Sequence, residues 1–304
     1  MKLSDVFRGF WLDQERQYSP HTVKAYKSML DAFLTFAGDV DVSSVTRMQV
    51  REFLNEQSRL YADATVVLRF VVLKKVLTWA ADELEVDNPT LKIATPRIRE
   101  QKEVLPLTEI EVRNVVSALS YFHRGYNGRQ VRVDRRTAVR DLAMVAVLLD
   151  VGLRAAELCN LDVRNYTPDT GRIHVVKGKG AKDRTVFLGK NARFRVWRYL
   201  ATREGADMDQ PLFVRHHSGK RLEQKDLYSI LVQAGERAGV GNVHTHRFRH
   251  TFAVNFLRNG ADVLTLQRMM GHSDIKMLQK YVKLAEVDVE ASQRTASVAD
   301  KWGI

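Results

Sequence analysis

The stretch HTHRFRHTFA, residues 244–253, concentrates side chains that can bind an ion or move a proton. His246 and His250 are four residues apart, a spacing that puts two metal ligands on one face of a helix. His246 and Arg249 are three residues apart, which suits a shared phosphate equally well, because arginine binds phosphate oxygens with a planar fork of donors. The stretch alone does not decide between these two chemistries.

A metal site is the less favoured interpretation. The helix of a zinc protease needs a glutamate beside its first histidine as general base, and a third ligand downstream. Here Arg247 stands at the glutamate's place, and no acidic residue lies between residues 237 and 261. Neighbouring cations also disfavour the binding of another cation. We therefore expect an anion site with no metal and no cofactor.

Further candidate residues follow a fixed order along the second half of the chain. Arg154 in GLRAAEL comes just after a glycine break that ends an apolar helix, and Lys179 lies in GKGAKD between two β-rich runs, the pattern of a hairpin. His272 in GHS precedes Tyr281 by nine residues. Each residue alone has an ordinary structural explanation, and the set is specific. Glu157 either orients neighbouring groups or is a plain surface glutamate.

By these residues and their order, the chain resembles the tyrosine recombinase (phage integrase) family over nearly its whole length. Among the members of that family it resembles the Xer-like recombinases most. The resemblance implies a metal-independent site-specific DNA recombinase that acts through a 3′-phosphotyrosyl bond and a Holliday junction. It needs no nucleotide cofactor, because the phosphodiester bond energy is conserved. The six catalytic residues that it implies are Arg154, Lys179, His246, Arg249, His272 and the nucleophile Tyr281.

The resemblance gives each of these residues a role. Tyr281 would attack the scissile phosphate while Arg154 and Arg249 bind its non-bridging oxygens. Phenols are about one part in a thousand ionised at pH 7, a deficit of roughly 4 kcal/mol. Charge-assisted hydrogen bonds of about 1.5–3 kcal/mol each from two arginines can offset that deficit.

Three further roles concern protons. His246 would accept the proton of the tyrosine, and His272 would donate a hydrogen bond to the phosphate. Lys179, reaching in from its hairpin, would protonate the leaving 5′-oxygen. The alternatives to a recombinase are a non-catalytic DNA-binding regulator on the same fold and a type IB topoisomerase, which shares much of this chemistry.

The elements that must position these residues are mainly helical. Residues 1–95 favour a bundle of four helices, one of which has Ser19 as N-cap, Pro20 at its first position and Gly38 at its end. Prolines and charges break the helical pattern before Thr108 and Glu111, which form a capping box for the next helix. We expect a mainly α fold with a small antiparallel β-sheet in the C-terminal domain.

The resemblance implies that the domains form a clamp around DNA. We expect a core-binding (SAM-like) helical domain over 1–95, a linker over 96–106 and a catalytic domain over 107–304 with a tail that is exchanged between protomers. Residues 122–137, rich in arginine, are expected to be a mobile basic loop, longer than the connection in Xer proteins. That length favours an integrase or transposase of a mobile element over a Xer-type chromosome dimer resolvase.

Charge and composition indicate the partner and the compartment. The net charge is +12, and residues 1–95 hold 12 basic against 13 acidic residues, so the surplus lies in the second part of the chain. Such a surplus suits a polyanion. A single cysteine, Cys159, and the lack of a signal peptide or long apolar run favour the cytoplasm, in association with the nucleoid. Contacts to the DNA backbone are predicted for Arg97, Arg99, Lys102, Lys177, Lys182, His244 and Arg247.

The resemblance also implies the assembly. The expected partner is double-stranded DNA with inverted core sites, on which four copies of the chain would assemble as a homotetramer. In solution we expect a monomer. Accessory DNA-bending proteins are expected as further partners, and a membrane is not.

Overall fold

The structure is a computed structural model that describes residues 1–99, 104–126, 129–176, 183–203, 205–271, 278–285 and 297–304, with the backbone alone for 122–126 and 129–132. The chain divides into two compact units, Met1–Glu103 and Val104–Ile304. Among the described residues, no helix is both long and apolar enough to cross a membrane.

The N-terminal unit is a helical bundle, as predicted. Its helices are α1 (Leu3–Gln14), α2 (Pro20–Ala37), α3 (Arg47–Leu60) and α4 (Asp63–Leu84). The N-cap of α2 is confirmed, because the hydroxyl of Ser19 accepts a hydrogen bond from the backbone N–H of Thr22 at 3.1 Å. Gly38 ends the helix with a φ of 76°. Phenylalanines from all four helices fill the core: Phe10, Phe33, Phe53 and Phe70.

The chain after α4 stays on the N-terminal unit before it reaches the second one. Thr90 and Ile93 are buried there. Arg97 and Arg99 are exposed, and the backbone N–H of Arg99 donates to Asp63 at 2.8 Å. Lys102 lies outside the described residues.

The described part of the C-terminal unit holds further helices around its own apolar core. They are α5 (Glu109–Ser120), α6 (Ala138–Val151), α7 (Ala155–Cys159), α8 (Lys190–Ala201), α9 (Gln224–Ala238), α10 (Thr245–Arg258), α11 (Val263–Met270), α12 (Gln279–Ala285) and α13 (Val298–Trp302). The predicted capping box at the start of α5 is confirmed, since Thr108 and Glu111 bond to each other's backbone N–H groups.

A three-stranded antiparallel sheet accompanies these helices. Its strands β3 (Tyr166–Thr167), β4 (Arg172–Val175) and β5 (Arg184–Phe187) are hydrogen-bonded in chain order. The predicted hairpin is therefore confirmed by its two strands, whose last pair before the turn is Val175 and Arg184. The turn itself, 177–182, lies outside the described residues.

The prediction of a mobile basic loop over 122–137 was wrong for its first part. The backbone there forms a two-stranded antiparallel hairpin, β1 (Tyr121–Tyr126) and β2 (Arg129–Asp134), with Tyr126 paired to Arg129. Asn-Gly between two β-prone runs is a strong signal for a hairpin turn, and residues 127–128 are Asn-Gly. The many arginines of this segment obscured that signal.

Candidate active site

Arg154 is positioned by a sharp turn between α6 and α7. Gly152 ends α6 with a φ of 60°, and a Cβ there would lie 2.3 Å from the ring of Phe252. This close approach explains why the position must be glycine. Arg154 then serves as the N-cap of α7, and its side chain remains 38% exposed. The predicted break at Gly152 is thus confirmed.

Glu157 holds two arginines together. It accepts hydrogen bonds from the backbone N–H of Arg154 at 2.8 Å and from its guanidinium at 3.0 Å, and two more from Arg184 at 2.8 Å each. Burial opposes ionisation of Glu157, but the bonds from Arg184 and from the backbone of Arg154 outweigh it and lower the pKa to about 2. The carboxylate therefore orients its neighbours, and the alternative of a plain surface glutamate is wrong.

Arg249 lies buried on α10. It donates to the carbonyl oxygen of Gly152 at 2.5 Å and to that of Met270 at 2.8 Å. Burial, and then the positive charge of Arg154, lower its pKa to about 10. The guanidinium therefore keeps its full charge at neutral pH while its position is fixed.

Three arginines meet at the C-terminal end of α11, and we call Arg154, Arg184 and Arg249 the arginine cluster. Arg154 donates to the carbonyl oxygen of Met270 at 3.3 Å, as Arg249 does, and Arg184 donates to that of Met269 at 2.6 Å. The free carbonyls at the end of a helix carry partial negative charge, which suits cations. The interaction also fixes the end of α11 next to the predicted His272, which itself lies outside the described residues.

Tyr281 on α12 lies in the apolar cluster behind the arginines and is 5% exposed. Its ring lies 5.2 Å from that of His250, and the ammonium group of Lys280 lies 4.8 Å from the ring centre. Tyr281 also interacts electrostatically with Arg249. His250 is buried and packs against the tyrosine.

The first turn of α10 carries the other histidines. His244 is the N-cap, and its Nδ1 accepts from the backbone N–H of Arg247 at 3.4 Å. Burial, followed by the neighbouring His246 and Arg247, lowers the pKa of His244. His246 is exposed, with its ring 6.4 Å from that of His244. It lies three residues before Arg249 on the same helix.

The structure places Arg247 differently from the predicted DNA contact. Its three guanidinium nitrogens donate to Leu105, Gly241 and Glu111, the first two through carbonyl oxygens, and its side chain is nearly buried. Arg247 thus ties the start of α10 to the segment before α5. Lys177, Lys179 and Lys182 lie outside the described residues.

The two histidines of the metal interpretation have different surroundings: His246 is exposed, whereas His250 is buried against Tyr281. In the part of the chain that the structure describes, no three histidine, cysteine, aspartate or glutamate side chains are grouped as metal ligands.

Arg184 is the residue of this site that the sequence did not reveal. It stands in the run KDRTVF, where a basic residue in an alternating strand is usually exposed. Its nearly complete burial depends on Glu157, twenty-seven residues earlier in the chain. Arg184 is also paired with Val175, so the start of β5 and the end of β4 lie at the arginine cluster.

Comparison with known proteins identifies the family of the chain. Residues 107–287 match the model of the phage integrase family, which is more than half of the chain, and residues 10–83 match the phage integrase N-terminal SAM-like domain. The chain belongs to the phage integrase family. It is a site-specific DNA recombinase of the tyrosine type.

Relatives within this recombinase family include tyrosine recombinase XerC of Salmonella typhi, which is 29% identical over 280 residues covering 90% of this chain and 88% of the relative. XerC of Escherichia coli K12 / DH10B is 28% identical over 280 residues, 90% of this chain and 89% of the relative. The Tn1549 transposon integrase, bound to a circular intermediate DNA, shares the fold with a TM-score of 0.77 at 16% identity, covering 92% of this chain and 95% of that one. A lambda integrase dimer bound to a COC′ core site shares the fold with a TM-score of 0.74 at 14% identity. The match covers 92% of this chain and 77% of that one.

Proposed function

We propose that two members of the arginine cluster, Arg154 and Arg249, form the phosphate site of the recombination reaction and that Tyr281 is its nucleophile. The observation that carries this proposal is the convergence of Arg154 and Arg249 on one atom, the carbonyl oxygen of Met270. Two guanidinium groups that reach one oxygen are close enough to bind one phosphate. Their remaining N–H donors would bind the non-bridging oxygens as charge builds up on phosphorus.

The proposed step forms one bond and breaks another. The phenol oxygen of Tyr281 attacks phosphorus, the P–O5′ bond breaks, and the DNA is left with a 3′-phosphotyrosyl link and a free 5′-hydroxyl. His246, exposed at the start of α10, accepts the proton of the phenol. Lys179 supplies a proton to the leaving oxygen, and His272 donates to the phosphate. Attack by a 5′-hydroxyl of a partner strand reverses the step and joins the strands.

Tyr281 must change its surroundings before it reacts. A side chain that is 5% exposed in the free chain cannot meet a phosphate held by a duplex. Since α12 is a seven-residue helix that packs on α10, a shift of this helix would bring the phenol out. DNA binding would thereby couple the assembly of the site to the presence of its substrate.

The proposed substrate is double-stranded DNA with inverted core sites, held by a homotetramer whose protomers are monomers in solution. Backbone contacts by Arg97, Arg99, Lys102, Lys177, Lys182 and His244 would supply salt-dependent affinity without sequence preference. The exposed Val298 and Trp302 of α13 suit a tail that packs on a neighbouring protomer. Accessory DNA-bending proteins and a location in the cytoplasm, at the nucleoid, complete the proposal.

We propose further that the recombinase serves a mobile element. The β1–β2 hairpin adds an arginine-rich element between α5 and α6, and this is the observation in favour. Chromosome dimer resolution of the Xer type is the second candidate, favoured by the XerC relatives. Recombination assays on joined element ends and on chromosomal resolution sites, run side by side, separate the two.

The chemical proposal is tested with a nicked suicide duplex, from which the short 5′-end diffuses away after cleavage. We expect a covalent protein–DNA adduct on a denaturing gel, with equal yield in EDTA. Tyr281→Phe should give none, whereas Tyr228→Phe, a change at an exposed tyrosine on α9, should react normally. An adduct that survives Tyr281→Phe, or that disappears with EDTA, would contradict the proposal.

A further inference from the structure

A second basic site lies in the C-terminal unit at the start of α6. A cavity of about 330 Å³ opens there between α6 and α8. Its lining residues are Ser120, Asp134, Arg135, Ala138, Val139, Leu142, Arg195 and Arg198. Since a helix of 14 residues is about 20 Å long, this cavity is about that far from Gly152 at the other end of α6. It is therefore separate from the arginine cluster.

The arginines of this cavity have few partners in the described part of the chain. The Nε of Arg135 is buried with no hydrogen-bond partner there. The guanidinium of Arg195 makes no ion pair or side-chain hydrogen bond to a described residue, and that of Arg198 lies 5.9 Å from the ring centre of Phe194. Three arginines against one carboxylate, that of Asp134, line the cavity, and this excess of positive charge favours an anion.

The start of α6 lines the cavity, and its first turn already holds one carboxylate, that of the buried Asp141. Ala138, which lines the cavity, is the first residue of the helix, and the N-terminal end of a helix carries partial positive charge. The N-cap residue Thr137 does not cap it with a side-chain bond to the backbone, because its hydroxyl donates to Asp141 at 2.7 Å. The attraction for a further anion therefore comes from the arginines, whose planar guanidinium groups fit a carboxylate or a phosphate.

The outer face of α8 favours an acidic protein segment over the phosphates of DNA as the anion. Phe194 and Trp197 are 55% and 56% exposed, and their rings stack with centres 6.0 Å apart at an angle of 21°. Stacked aromatic rings carry no positive charge that would attract the phosphates of a duplex. In protein interfaces, by contrast, tryptophan and arginine carry a large share of the binding energy. The apolar floor of Val139 and Leu142 likewise suits a side chain better than a phosphate.

We propose that the α6–α8 groove binds an acidic segment of a partner protein. The groove consists of Arg135, Arg195 and Arg198, which line the cavity, and of the exposed Phe194 and Trp197 on the adjoining outer face of α8. Carboxylates of the segment pair with the three arginines. An apolar side chain of the segment packs on the exposed aromatic pair. The groove thereby gives the recombinase a contact for a protein that does not occupy its DNA-cleaving site.

The test uses the full chain and a fluorescein-labelled peptide in which glutamates alternate with phenylalanine and leucine, followed by fluorescence anisotropy. Arg195→Glu and Arg198→Glu should each weaken binding about tenfold, because a like charge replaces an attractive one. Trp197→Ala should weaken it about fivefold by removing an apolar contact. Lys220→Glu, the same charge reversal at an exposed loop position outside the groove, should change binding less than about twofold.

Three controls decide between this proposal and its rivals. A peptide with serine in place of phenylalanine and leucine should bind about fivefold more weakly. Equal binding of the two peptides would show that only their overall negative charge matters, and it would overturn the proposal. A short DNA duplex that displaces the peptide, and whose own binding depends on Arg195 and Arg198 but not on Trp197, would make the groove a phosphate surface. Sedimentation in which Arg195→Glu alone dissociates a dimer of the chain would make it a contact between copies.

Each variant is judged only if it is folded. Arg195 and Arg198 have no described carboxylate partner to lose, so we expect melting temperatures within a few degrees of the parent chain. Hydrogen exchange adds a readout that does not depend on a substitution. The peptide should slow exchange in α8 and at the start of α6 in the parent chain, and protection elsewhere without protection there would overturn the proposal.

Discussion

Arginine side chains gather at two places in the C-terminal unit, and the two differ in what surrounds them. In the arginine cluster, Glu157 and the carbonyl oxygens at the end of α11 accept hydrogen bonds from all three guanidinium groups. In the α6–α8 groove, Arg195 and Arg198 have no described carboxylate partner, and aromatic rings lie beside them. Both places use arginine, but the guanidinium groups of the arginine cluster are held by hydrogen bonds and those of Arg195 and Arg198 have no such described bonds.

This difference separates two uses of positive charge. Donors that are held in place stabilise a charge that develops at one point, because no reorganisation is needed when the reaction occurs. Donors that are loosely held can adapt to a flexible partner, at the cost of ordering when it binds. We therefore expect substitutions in the arginine cluster to affect the chemical step and substitutions in the groove to leave it unchanged.

The largest effect is expected for Arg249→Gln. It removes a buried charge that would bind the phosphate with two charge-assisted hydrogen bonds, together about 4 kcal/mol, so single-turnover cleavage of a nicked duplex should slow roughly a thousandfold. Arg249→Lys keeps the charge without the fork and should retain part of the rate. Cleavage by Arg249→Gln within tenfold of the parent, with the fold intact, would remove Arg249 from the phosphate site.

The next effect concerns pH and Glu157. Its folded pKa of about 2 lies below the ordinary 4.5, so its contribution to stability is complete above about pH 4.5 and is lost as the pH falls toward 2. The shift corresponds to roughly 3 kcal/mol. Urea unfolding at several pH values should show parent and Glu157→Gln differing most above pH 5 and converging near pH 2. A difference that stays constant with pH would contradict the ionised state assigned to Glu157.

A smaller effect is expected for Arg184→Met. Arg184 touches no substrate in our account, and it positions Arg154 through Glu157, so we expect cleavage to slow about tenfold with little change in DNA affinity. The double variant Arg184→Met with Glu157→Gln should be little slower than the worse single variant, because both break one chain of contacts. Rates that multiply instead would show independent roles.

The smallest effect is expected in the groove. Arg198→Gln should cleave the nicked duplex within about twofold of the parent rate, since exposed charges far from the reaction contribute little. The measurement is the same single-turnover assay as for Arg249→Gln. A loss comparable with that of Arg249→Gln would erase the distinction between the two arginine sites.

Much of the fold was predictable because its signals are local. Ser19, Pro20 and Gly38 mark the ends of α2 by their own chemistry, and the Thr108–Glu111 capping box marks the start of α5. The β1–β2 hairpin was not predicted, although Asn-Gly is a typical hairpin turn. The high content of arginine favoured a mobile loop instead.

Site residues could be predicted only where the family pattern consists of a particular residue type at a particular place in the chain order. Arg154, Arg249 and Tyr281 were predicted from their order along the chain, and the structure brings Arg154 and Arg249 to one carbonyl oxygen. Arg184 and the inward direction of Arg247 depend on contacts between residues far apart in sequence, with Glu157 in one case and with Leu105 and Glu111 in the other. No local pattern encodes such contacts, so an arginine on an exposed turn and an arginine in a buried ion pair look alike in the sequence.

The central claim is that one tyrosine, buried behind the arginine cluster, carries the DNA. The chain has nine tyrosines, so locating the link discriminates strongly. The adduct from the suicide duplex can be trimmed with nuclease, digested with protease and sequenced by mass spectrometry. Our account predicts a 3′-linked nucleotide on Tyr281 alone. A nucleotide on any other residue would contradict it.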